Sequence, residues 1–165
     1  MSENSAANAQ LEAAMFDLKK MWLGTIEIDY PFTNGQEVFI LKSDGMIVPM
    51  KWRTTPYQCM MHHLGVVFLD SAAALAARDK RLLMVSINEF RTLRNDGWEP
   101  SFGGVSLSDV EPKWYIGFLG DDLFEGMEVT SSSFPLFGYF KKQDDVRMAI
   151  MLFGKEIKRL FCGEF

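Results

Sequence analysis

Long hydrophobic runs are missing from this chain, since no stretch reaches the ~18 apolar residues that a membrane-spanning helix requires. The first ten residues, Met1 to Gln10, are polar and mildly acidic, so neither a spanning helix nor a secretory signal is expected there. Cysteine is scarce as well. Cys59 and Cys162 stand alone with no short CxxC spacing, which leaves too few parts for a disulfide framework or a standard zinc module and points to a reducing cytoplasm. Histidine is confined to the adjacent pair His62 and His63. Basic charge is in deficit, with 17 Lys and Arg against 22 Asp and Glu and a net charge of −5. The chain as a whole is therefore not expected to attract nucleic acid phosphates.

What is present has ordinary globular proportions. A length of 165 residues at 48% hydrophobic composition predicts one core, arranged as a polar tail over residues 1–10 and a single domain over 11–165. The 14 Phe and 11 Met imply a core filled by large, partly adaptable side chains. Acid is concentrated between Asp96 and Tyr139. There Asp96, Glu99, Asp109, Glu111, Asp121, Asp122, Glu125 and Glu128 face only Lys113, a net charge of −7.

Periodicity places the elements. Leu11, Ala14, Met15, Leu18 and Trp22 recur at helical spacing and predict a short amphipathic helix over residues 9–22. Alternation from Thr25 to Tyr30 predicts a strand that ends before Pro31 and the Asn34-Gly35 turn. Strands over Glu37–Lys42 and Met46–Trp52 flank Ser43-Asp44-Gly45, whose Asp-Gly pair supplies the positive φ of a tight turn. Pro49 lacks an N–H, so its strand belongs at an edge or a bulge. Thr54 to Leu69 stays mixed between a helical turn and an irregular strand. Asp70 then caps a long helix with Ala73, Ala76, Ala77, Leu83, Met84, Ile87 and Phe90 on its buried side, ended by Asn95-Asp96-Gly97. Further strands are expected over Lys113–Leu119, Met127–Ser131 and Leu136–Phe140. A closing helix over Gln143–Phe161 buries Val146, Ala149, Ile150, Phe153, Ile157, Leu160 and Phe161, with Asp144 and Asp145 favoured in its first turn by the helix dipole. The expected class is α+β: an antiparallel, meander-rich sheet, two long helices packed on one face, and a short N-terminal helix.

Two segments share a layout: Phe68, Asp70 and Ala74 open the long helix as Phe140, Lys142 and Val146 open the last. Together with Trp98-Glu99-Pro100-Ser101-Phe102, Lys113-Trp114-Tyr115-Ile116 and Phe153-Gly154-Lys155-Glu156, this order resembles a group of small phage and prophage proteins without assigned chemistry. The likeness covers roughly residues 66–161 and consists of packing and corner features. It implies a mobile-element origin, and so the cytoplasm of an infected or lysogenic bacterial host.

Catalytic constellations are incomplete. Gly104-Val-Ser106-Leu-Ser108 lacks the final glycine of a nucleophile elbow, and Ala149 stands where a phosphate loop ending at Gly154-Lys155 needs glycine. Cys59, His62, His63 and Cys162 could furnish metal ligands, yet adjacent histidines on regular structure point apart. Asp121, Asp122 and Glu125 could hold a hard cation, although a lone acidic turn is usually a solvated loop. No metal and no cofactor is expected. Trp98, Phe102, Trp114 and Tyr115 form the most aromatic neighbourhood, which suits a protein-binding surface unless Trp98 merely covers a helix end and Trp114 turns into the core.

The expected partner-binding set is Trp98, Phe102, Asp109, Glu111, Tyr115, Asp121, Asp122 and Glu125. The reading this supports is a non-catalytic phage accessory protein that binds a host protein or nucleoprotein complex. Inhibition of a defence nuclease, in the manner of an anti-CRISPR protein, is its sharpest form. No sequence-specific nucleic acid and no membrane is expected, and self-association stays open. The alternatives are a virion structural or assembly protein, and an enzyme with a site near Cys59, His62 and His63.

Overall fold

A computed structural model of the chain describes residues 30–102, 111–120, 122–129 and 134–163. The helix expected over 9–22, nearly all of the Thr25–Tyr30 strand, and the Gly104–Ser108 motif lie outside the described residues. The class is α+β with antiparallel strands, but among the described residues these divide into two sheets rather than one.

Strands β1 (Glu37–Leu41) and β2 (Ile47–Lys51) pair as the Asp44-Gly45 turn predicts, with Gly45 at φ 82° and Asp44 Oδ1 accepting from the Met46 N–H at 2.9 Å. Pro49 sits on β2, an edge strand, where no ladder donor is needed. The mixed stretch after it resolves into helix α1 (Pro56–His63) and the two-residue strand β3 (Val67–Phe68), which pairs with the other side of β1. Proline suits the first helical position because its missing N–H would have no partner there. Thr55 caps the helix, its hydroxyl accepting from the Gln58 N–H at 3.3 Å. Buried Gln58 bolts α1 to the end of β2, donating to the Lys51 carbonyl at 2.9 Å and accepting from the Arg53 N–H at 2.7 Å.

Helix α2 (Ser71–Asn95) starts where Asp70 predicts, with the carboxylate accepting from the Ala73 N–H at 2.7 Å. It stops at Asp96 and Gly97, both with positive φ. Its buried side runs through Ala74, Leu83 and Ile87, with Met84 and Phe90 packed alongside; Ala73, expected inside, is exposed.

The second sheet is the hairpin of β4 (Lys113–Leu119) and β5 (Asp122–Glu128). β5 therefore begins earlier than the Met127–Ser131 strand expected. The strand expected over Leu136–Phe140 is a turn, with Gly138 at φ 73°, and Phe140 alone bridges to Trp114 through bonds of 3.0 and 2.7 Å. Helix α3 (Gln143–Ile157) carries the expected stripe and continues as a π turn over Lys158–Cys162 that ends at Gly163. Asp144 and Asp145 occupy its first turn, as the dipole argument predicts.

Among the described residues two apolar clusters result. Phe32, Val38, Trp52 and Val67 fill one, under β1, β2 and α1. Leu83, Ile87, Ile116, Phe140, Val146, Ala149 and Ile157 are in the other, between α2, α3 and β4. α2 touches the elements of both. Its C-terminus is tied to the start of α3: buried Asn95 donates to the Tyr139 carbonyl at 2.9 Å and accepts from the Lys141 N–H at 3.0 Å. Arg94 grips buried Asp145 through Nε at 2.6 Å and Nη2 at 2.5 Å. Among the described residues no helix is long and apolar enough to cross a membrane.

Candidate functional site

The β4–β5 hairpin has two unlike faces, because successive side chains on a strand alternate. Trp114, Ile116, Leu123 and Glu125 point towards α3. Tyr115 and Phe124 point the other way, and each ring lies on a glycine of the opposite strand: Tyr115 on Gly126, and Phe124 on Gly117. A Cβ at either glycine would collide with the ring above it. The outer face is thus built from aromatic planes laid on bare backbone, with Leu119 exposed at its end.

Neighbouring segments extend that face. The Phe102 ring, mostly exposed, meets Tyr139 edge-on at 5.6 Å, and Tyr139 meets Tyr115 at 6.2 Å. Lys113, fully buried, supports Phe102 from below with its ammonium 5.2 Å from the ring centre. The same ammonium donates to the Ser101 carbonyl at 2.8 Å and the Val129 carbonyl at 2.6 Å, so the segments before and after the hairpin hang on one side chain. The Tyr139 hydroxyl donates to Glu128 at 2.5 Å, and the Trp98 indole donates to Glu111 at 2.9 Å.

Of the residues expected to bind a partner, Phe102 and Tyr115 come together through Tyr139, and Trp98 comes together with Glu111. Glu125 does not join them. It faces α3, where Arg147 lies 2.9 Å away and Gln143 2.8 Å, and their hydrogen bonds hold its carboxyl below the usual carboxylate range. Asp122, at the hairpin tip, pairs with Lys158 at 3.1 Å. Asp109 and Asp121 lie outside the described residues. Glu111 and Glu128 thus accept from an aromatic neighbour, whereas Asp122 and Glu125 pair with a cation of the π turn or of α3. Phe124, Tyr139 and Lys113 stand in the candidate site but outside the expected binding set; the Phe124-Glu125-Gly126 alternation is the sequence signal for the first of them.

The Cys59–His62–His63 neighbourhood is a second, apolar setting. His62 stands edge-on to Phe32 at 5.4 Å and to Tyr30 at 5.5 Å, with His63 at 5.9 Å. Contact with the Cys59 thiol, then burial, raises the Tyr30 hydroxyl above its usual range. Among the described residues no three His, Cys, Asp or Glu side chains come close enough to share a metal ion. Burial, then the His63 charge, lowers the His62 pKa. The folded chain consequently binds fewer protons here than the unfolded chain, and stability is full above the ordinary histidine value of ~6.5 and declines as pH falls through it. Thermal melts between about pH 7 and pH 5 should show this decline, and His62→Phe should flatten it.

Comparison with protein-family models, with curated proteins and with solved structures gives no match to this chain.

Proposed function

We propose that the protein is a non-catalytic binding module that docks a macromolecular partner on the outer face of the β4–β5 hairpin. The observation that carries this reading is the set of aromatic rings held flat and outward: Tyr115 and Phe124 on glycine backbone, and Phe102 on a buried lysine. Rings fixed in advance lose little conformational freedom on binding, which is what central interface anchors need. Asp122 and Glu128 lie on the same face of the ladder and Glu111 two residues before β4, and these carboxylates favour a partner with basic side chains at its rim. Read with the resemblance to phage proteins, such a partner would be a host protein or nucleoprotein, and inhibition of a defence nuclease is the form of this reading with the clearest charge complementarity.

The test is crosslinking of the full chain in bacterial lysate, with the crosslinked positions mapped by mass spectrometry. Crosslinks from one partner should cluster around Phe102, Tyr115 and Phe124. The double variant Phe102→Ala/Phe124→Ala should reduce capture at least ~10-fold while the circular dichroism spectrum stays unchanged. Charge reversal at Glu111 and Asp122 should weaken capture less and change its salt dependence. Capture indifferent to the ring substitutions would sink the proposal.

A further inference from the structure

A second surface, distinct from the hairpin, lies along α2. Leu75 is 43% exposed, Leu82 59%, Val85 55% and Leu93 77%, on a helix whose opposite side is in the core. At 3.6 residues per turn, these four fall within about 80° of arc and extend over about 27 Å of the helix. Arg78 and Glu89 fall inside the same arc. Glu89 has no ion-pair partner among the described residues, and Arg78 pairs only with its neighbour Asp79 at 3.1 Å, a pair more than a quarter exposed on each side. A groove of about 420 Å³ whose lining includes Lys42, Asp44, Arg78, Arg81, Leu82 and Val85 runs beside the stripe.

The order of these residues is self-complementary in one direction only. Suppose two copies of α2 cross antiparallel about a two-fold axis level with Met84. Leu75 then lies opposite Leu93 of the second copy, Leu82 and Val85 meet near the axis beside the two grooves, and Arg78 lies opposite Glu89. A parallel arrangement would instead set Arg78 against Arg78 and Glu89 against Glu89, which costs energy in partly desolvated positions. We propose that this face of α2 is the interface of an antiparallel homodimer, closed at each end by a leucine pair and held in register by two symmetric Arg78–Glu89 ion pairs. A two-fold axis makes every such contact occur twice, so six residues suffice to specify it. The surface is separate from the outer face of the hairpin, and the inference holds whether or not that face binds a partner.

Sedimentation of the full chain over a range of concentrations tests it. The expected result is a species of twice 18.8 kDa that dissociates on dilution. Leu82→Glu should weaken self-association at least ~10-fold. Arg78→Glu and Glu89→Arg should each weaken it, and the double variant Arg78→Glu/Glu89→Arg should restore it, a rescue that loss of helix stability cannot mimic. Phe124→Ala should leave it unchanged. A monomer at every concentration overturns the proposal. So does a dimer indifferent to Leu82→Glu, or one that the charge swap fails to restore.

Discussion

Replacing Lys113 by alanine should lower the unfolding free energy by about 3–5 kcal/mol, a core-sized effect from a charged residue. Its side chain is fully buried, so truncation opens a void. It also withdraws the ammonium donor from the Ser101 and Val129 carbonyls. Lys113→Met separates the two contributions. Methionine refills most of the volume but cannot donate, so about 1–3 kcal/mol of the loss should persist. Urea unfolding followed by circular dichroism measures both variants. Because the same ammonium supports the Phe102 ring, both should also weaken capture of a partner through the hairpin face, more than their stability alone accounts for.

Trp52 is expected to give the second large effect, in the other cluster. Its ring is fully buried against Phe32 at 5.0 Å and Tyr30 at 5.5 Å, and Trp52→Ala should cost about 3–5 kcal/mol. Trp52→Phe should cost much less than its lost volume suggests. The indole N–H is buried with no hydrogen-bond partner among the described residues, so removing it relieves a desolvated donor and offsets part of the lost packing. A Trp52→Phe loss as large as its lost volume predicts, measured by urea unfolding, would show that the N–H is satisfied in solution.

Local chemistry explains which parts of the fold were legible. Asp44-Gly45, Asp70 and Asp96-Gly97 each answer a backbone requirement within a few residues, and the stripe of α3 repeats over enough turns to be unambiguous. α1 was not legible because eight residues are too few for periodicity, and its cap, Thr55-Pro56, resembles an ordinary turn. β5 was displaced because Asp122, Glu125 and Glu128 recur every third residue, a spacing foreign to a strand. The Leu136–Phe140 run has the aromatic content of a strand, but Gly138 turns the backbone beneath the Arg91 guanidinium, and only Phe140 reaches a partner strand. Ala73 and Ala74 differ by one step around the helix, and the first turn buries the second of them, not the first. The division into two sheets rests on long-range pairing that no local pattern encodes. For the candidate site, the aromatic residues were legible as types, whereas the buried role of Lys113 and the separation of Glu125 from the rest follow from strand register.

That register has its own safeguard in the hairpin. The two ring-on-glycine pairs run in opposite directions, one ring from each strand. Slipping β5 by two residues keeps every side chain on its face, so alternation alone would permit the error. One such slip sets Tyr115 against Phe124, two rings in a space sized for one. The other sets Gly117 against Gly126 and leaves backbone facing backbone with nothing between. Two glycines thereby make each misaligned hairpin either overfilled or hollow, and a single alignment satisfies both strands.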